Sequence, residues 1–174
     1  LTEATCISSV NPRDGERVSG SVGLRLPYQA MAVAELDGDG HVRRFCDTGE
    51  IGEILLDGPN VFAGYLDERH NAGVWAHDAD GRRWLVTGDR GRRDARGYFY
   101  LVGRSKDLII RGGHNIDPAI IEDALADHPE VAEVAAVGRP DAHAGEVPVA
   151  YITARRSASP EPESLVAHAA ASIA

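Results

Sequence analysis

Lysine occurs once in the 174 residues, at Lys106, and methionine once, at Met31. The two cysteines, Cys6 and Cys46, lie far apart and neither belongs to a Cys-x-x-Cys pair, which excludes a disulfide framework or a zinc ribbon. No apolar run approaches the roughly 18 residues needed to cross a bilayer, and the opening Leu-Thr-Glu-Ala-Thr-Cys lacks the basic start of a signal peptide. A soluble, cytoplasmic protein without a membrane span is the expectation. The seven histidines show no metal-ligand spacing. There is no phosphate-binding glycine loop with a lysine, no Gly-x-Ser-x-Gly and no dinucleotide fingerprint, so the common self-contained active sites are missing.

What is present is enough for a folded core, with 43% hydrophobic and 26% charged residues. Nineteen glycines and nine prolines argue for many turns and short strands rather than a long helical bundle. Basic side chains number 18 against 27 acidic ones, for a net charge of −9. The positive charge is gathered: residues 82–111 carry nine of the basic side chains and only Asp89, Asp94 and Asp107 against them. Such a stretch suits either a small anion, an acidic partner, or simply a solvated face.

From Val18 to about Gly103 short apolar runs are separated by Gly, Asp and Pro, which predicts strands at 29–36, 41–45, 51–57, 83–87 and 98–102, with a helical turn near 67–72. After Gly103 the period changes. Asp117-Pro118 predicts a capped helix over 118–127, then strands at 131–138 and 146–154, and a second helix opened by Ser159-Pro160 with Leu165, Val166, Ala169, Ala170 and Ile173 on one stripe. The fold class is therefore α+β with a boundary near residue 104. The final helix runs to Ala174 with no closing strand, and the chain begins on Leu1, so both ends read as cut.

Thr87-Gly88-Asp89 places a carboxylate at a strand end after a glycine, where it can accept from two vicinal hydroxyls or make an ordinary turn. Gly103-Arg104-Ser105-Lys106 adds two cations, and Gly112-Gly113 permits either close approach of a ligand or a tight turn.

In order, LTEAT (1–5), GEILLDGPNVFAGYL (52–66), WLVTGDRGRRDARGYFYLVGRSKDLIIRGGHNIDP (84–118) and HPEVAEVAAVGRPDAHAGEVPVAYI (128–152) resemble the adenylate-forming, AMP-binding enzymes, most closely their acyl-CoA synthetase branch. The resemblance implies a β-barrel-like end of the large domain over 1–104 and a small mobile α+β domain with a three-stranded sheet and helices over 105–174, incomplete at its end. It implies a two-step reaction in which a carboxylate and ATP give acyl-AMP, and the thiol of coenzyme A then displaces AMP. It assigns nucleotide contacts to Thr2, Asp89 and Arg104, Mg²⁺ to Glu3, the interdomain hinge to Lys106 and the coenzyme A channel to Gly112 and Gly113. It puts the catalytic lysine, the phosphate loop and most of the acyl pocket outside these residues, so the piece alone is expected to be inactive. Ile120 stands where the family pattern has a glutamate, which removes a salt bridge on the helix face. The alternatives are a non-catalytic module that holds an anion or nucleic acid on 82–111, and a carrier-protein-loading or luciferase-like member of the same superfamily. The acid, the thiol acceptor and the oligomeric state are left open.

Overall fold

The computed structural model describes residues 1–173. Contacts divide the chain into two compact units, Leu1–Ser105 and Lys106–Ala174. The first contains β1 (Ser9–Val10), β2 (Leu24–Arg25), β3 (Ala30–Leu36), β4 (Val42–Phe45), β5 (Gly52–Asp57), β6 (Trp75–His77), β7 (Arg83–Arg93) and β8 (Phe99–Arg104), with short 3₁₀ turns at Thr2–Ala4 and Glu68–Asn71. The sheet runs β4-β3-β5-β7-β6, with β8 pairing the later half of β7, while β1 and β2 form a separate two-stranded ladder.

β5 is central, and three successive residues, Ile54, Leu55 and Leu56, are almost fully buried. A strand alternates its side chains, so such a run requires cover on both faces. One face joins Ile54 and Leu56 to Ala4, Met31, Val33, Leu85 and Phe99; the other joins Leu55 to Ala34 and Trp84. The sheet is not a closed barrel, and its edges come together only in one isolated bridge, from His41, just before β4, to His77 of β6. The reason is length, since β6 has three residues and the β3–β4 register breaks between Glu35 and Leu36.

The second unit holds β9 (Ile109–Arg111), β10 (His114–Ile116), α1 (Pro118–Ala126), β11 (Val131–Asp141), β12 (Gly145–Ala154) and α2 (Pro162–Ile173). Its sheet has four strands, in the order β10-β9-β12-β11, rather than three. Two of the four, β9 and β10, are three residues each, too short to show a period in sequence, and fold back on the Gly112-Gly113 turn. Asp117 caps α1 as expected, its carboxylate accepting from the Ala119 amide at 3.0 Å. Glu122 fastens α1 to β11 by accepting from the Ala136 amide at 2.8 Å. Ile120 is exposed, and no ion pair involves α1 among the described residues. α2 begins at Pro162 rather than at Ser159-Pro160, and on its expected apolar stripe Val166 is exposed. Among the described residues no helix is long and apolar enough to cross a membrane.

Candidate nucleotide-binding site

The Thr87-Gly88-Asp89 segment is a distortion of the β5–β7 ladder. Glu53 pairs with Arg90 and Leu55 with Val86, so Ile54 alone faces Thr87, Gly88 and Asp89. Extra residues on one strand bulge outward and re-aim the side chains they carry. The bulge is pinned by the buried Thr87 hydroxyl, which donates to the Ile54 carbonyl at 2.8 Å and accepts from the Asp89 amide at 3.1 Å. Gly88 supplies the left-handed φ of +74° that the turn needs, next to the Arg104 guanidinium.

Asp89 and Arg104 are register partners on β7 and β8, with Arg104 Nε 3.1 Å from Asp89 Oδ1. Their side chains are 31% and 48% exposed, and a pair so open to water adds about 0–1 kcal/mol to stability. The pair is better explained by what it presents: a carboxylate that accepts, beside a guanidinium that donates.

Thr2 and Glu3 lie in the Thr2–Ala4 turn, which is fixed from below and behind. Ala4 is fully buried in the core formed around Ile54 and Phe99. The Phe62 amide donates to the Glu3 carbonyl at 2.8 Å, Thr5 donates to the Asn60 carbonyl at 2.6 Å, and the Asn60 side-chain amide donates to the Ala4 carbonyl at 3.1 Å. Tyr65 donates its hydroxyl hydrogen bond to Glu3 Oε1. That bond is the main cause holding the Glu3 carboxyl below its ordinary range, and the Arg104 charge acts in the same direction, so the two corners share one electrostatic field. Tyr65 is itself held, its amide donating to Asn71 Oδ1 at 2.8 Å and its ring edge-on to Phe62 at 4.9 Å. Sequence reasoning gave no role to Tyr65, whose only signal was its place inside the 52–66 segment.

An ionised, hydrogen-bonded carboxylate such as Glu3 suits Mg²⁺, which keeps several waters and takes one or two carboxylates together with substrate phosphates. Among the described residues no cluster of three His, Cys, Asp or Glu could form an all-protein metal site. Glu3 thus fits as a single ligand to a nucleotide-bound ion.

Five of the nine basic side chains in 82–111 are engaged within their own unit. Arg82 stacks on Trp84 and pairs with Asp57 at 2.6 Å, Arg83 lies over Trp75, Arg92 over Tyr100, and Arg96 pairs with Glu16 at 2.9 Å, while Arg104 meets Asp89. The charge run is therefore mostly a stacked and paired sheet surface.

In the second unit Lys106 is exposed in a 3₁₀ turn over Ser105–Asp107. Gly112 and Gly113 are the two central residues of the β9–β10 hairpin, with φ of +56° and +82°, the backbone of a type I′ turn. A Cβ at either would meet nothing within 4 Å, so glycine stands there for its backbone conformation, not for room inside the protein.

Residues 120–174 match the family model of the AMP-binding enzyme C-terminal domain. The chain is 50% identical over 153 residues to a marinolic acid–CoA ligase of Pseudoalteromonas sp. (strain SANK 73390), covering 88% of this chain and 23% of that protein. It is 42% identical over 170 residues to a sulfoacetate–CoA ligase of Cupriavidus necator, covering 97% of this chain and 31% of that protein. Among solved structures, ATP-bound MatB from Rhodopseudomonas palustris matches with a TM-score of 0.85 at 34% identity, over all of this chain and 33% of that one. O-succinylbenzoate coenzyme A synthetase from Bacillus subtilis, in complex with ATP and magnesium, matches with a TM-score of 0.72 at 35% identity, over 97% of this chain and 33% of that one. The chain belongs to the adenylate-forming enzymes, on their acyl-CoA ligase branch. It spans a third or less of the length of these relatives.

Proposed function

We propose that these residues form the nucleotide-holding end and the small domain of a cytoplasmic, ATP-dependent acyl-CoA synthetase, an acid–thiol ligase. The observation that carries this reading is the Asp89–Arg104 pair, set out on a pinned bulge where structural need is small. Asp89 accepts from both ribose hydroxyls of the adenosine, and Arg104 turns its remaining donors to the same nucleotide. Thr2 donates to the α-phosphate. Glu3 holds Mg²⁺, which neutralises phosphate charge when bound. Lys106 lies at the hinge between the units, where an unbranched exposed side chain tolerates large changes in φ and ψ. Gly112 and Gly113 line the passage of the pantetheine arm during thiol attack.

The reaction is a carboxylate oxygen attacking the α-phosphorus of ATP, with pyrophosphate leaving, followed by attack of the coenzyme A sulfur on the acyl carbon, with AMP leaving. Lys106, the single lysine, is committed to the hinge, so the isolated 174 residues do not complete the cycle. The relatives' names, two CoA ligases for chemically distinct acids, support a carboxylic acid as substrate class. The test is ATP–pyrophosphate exchange by the full-length protein across a panel of aliphatic, aromatic and sulfonated acids. Exchange that requires one of the acids supports the reading, and exchange with none of them, in protein shown to be folded, contradicts it.

A further inference from the structure

Two register breaks flank the segment that carries Asp89. The β5–β7 ladder breaks between Glu53 and Leu55, and the β7–β8 ladder breaks between Arg90 and Gly91. On its β5 side, backbone pairing therefore does not hold residues 87–89, and side chains must, while on its β8 side Asp89 and Arg90 stay in register with Arg104 and Gly103. Thr87 is one brace, through the Ile54 carbonyl.

Glu53 is placed to be the other. It is half-buried on β5, opposite Arg90. Ser105, the residue after Arg104, donates its hydroxyl hydrogen bond to Glu53 Oε2. Gly88, the residue before Asp89, brings its amide close to the same carboxyl, while the buried Oε1 makes no hydrogen bond. Burial pushes the Glu53 carboxyl above the ordinary carboxylate range, against the opposing pull of the Ser105 hydroxyl, the Gly88 amide and the Arg90 charge. A buried carboxyl with an unmatched oxygen weakens a fold, so its presence here calls for a role other than stability.

We propose that Glu53 is a positioning residue for the nucleotide site: it bridges the bulge that presents Asp89 to the strand end that presents Arg104, and so sets the spacing of the pair. The proposal rests on the reading of Asp89 and Arg104 as nucleotide contacts.

The test uses the full-length protein with Glu53→Ala, Glu53→Gln and Ser105→Ala, read by amide hydrogen exchange and by ATP kinetics. In Glu53→Ala, exchange at residues 87–90 and 103–105 rises, and the KM for ATP rises roughly 10- to 100-fold, the scale of a misplaced binding group. Glu53→Gln restores both, because its side-chain oxygen accepts from Ser105 as the carboxylate does. If Glu53→Ala fails to fold, Ser105→Ala carries the same test at one end of the bridge and raises exchange over 103–105 together with the KM. Unchanged exchange overturns the proposal, as does raised exchange with an unchanged KM for ATP. A Glu53→Gln variant as impaired as Glu53→Ala also overturns it, since charge rather than bridging would then matter. Failure of the underlying reading is separately visible, because Asp89→Ala would then leave the KM for ATP at its wild-type value.

Discussion

Asp89 and Arg104 sit opposite each other on adjacent antiparallel strands, 3.1 Å apart, and a three-residue bulge facing Ile54 brings them there. Replacing Asp89 by Ala in the full-length protein is expected to raise the KM for ATP at least tenfold while shifting stability by less than about 1 kcal/mol, because the pair is solvent-exposed. Initial-rate kinetics beside a thermal melt separate the two effects. A large loss of stability with an unchanged KM would make the pair structural.

The turn that holds Thr2 and Glu3 is seated on the core through Ala4, which packs with Phe99 and Ile54. Phe99→Ala removes a fully buried ring and is expected to destabilise the first unit by about 3–5 kcal/mol, measured by urea unfolding. Ala4→Leu overpacks the same site and is expected to cost about 1–3 kcal/mol. It should also weaken nucleotide binding, since the overpacked side chain pushes against the turn that carries Glu3.

In the second unit, Asp117→Ala removes the carboxylate that caps α1 at the Ala119 amide. The expected loss is about 0.5–2 kcal/mol. Asp117→Ser is expected to recover most of it, as judged by chemical denaturation.

Glu53 gives a pH signature of definite sign. Its carboxyl is raised above the ordinary value of 4.5, so the folded protein holds that proton more tightly than the unfolded chain. The stability this contributes is fully present below the unfolded value and is lost as pH rises through the folded one. Glu53→Gln should therefore match the wild type in thermal midpoint at pH below about 4 and exceed it increasingly at higher pH. The lowered carboxyls of Glu50, Asp67, Asp78 and Asp141 act in the opposite sense, present above the ordinary range and lost as pH falls below it, in both proteins. A constant difference between the two melts at all pH values would contradict the assignment.

Much of this architecture is legible in the residues. The alternation of 30–36, the apolar run of 54–56 and the Asp117-Pro118 start each point to one local structure, and tertiary packing agrees with them. The β9–β10 hairpin was not legible, because three-residue strands carry no period and the Gly-Gly signal reads equally as a ligand approach. Nor was the full length of β7: beyond Thr87 its alternation is carried by Gly and Arg rather than by apolar residues, and Arg92 covers the Tyr100 ring instead of facing solvent freely. The candidate site was legible as motifs whose members lie up to about 100 positions apart. Its supports, Tyr65 and Glu53, were not, because a hydroxyl meeting a carboxylate across 62 residues leaves no trace in local spacing.

The most direct measurement of adenylate chemistry follows one oxygen atom. The full-length protein, given an accepted carboxylic acid labelled with ¹⁸O in its carboxyl group, together with ATP, Mg²⁺ and coenzyme A, should release AMP carrying one ¹⁸O atom, read by mass spectrometry. That outcome requires the carboxylate oxygen to have bonded to the α-phosphorus. Label found in inorganic phosphate, with ADP as the nucleotide product, would mean an acyl-phosphate route and would contradict the proposed function.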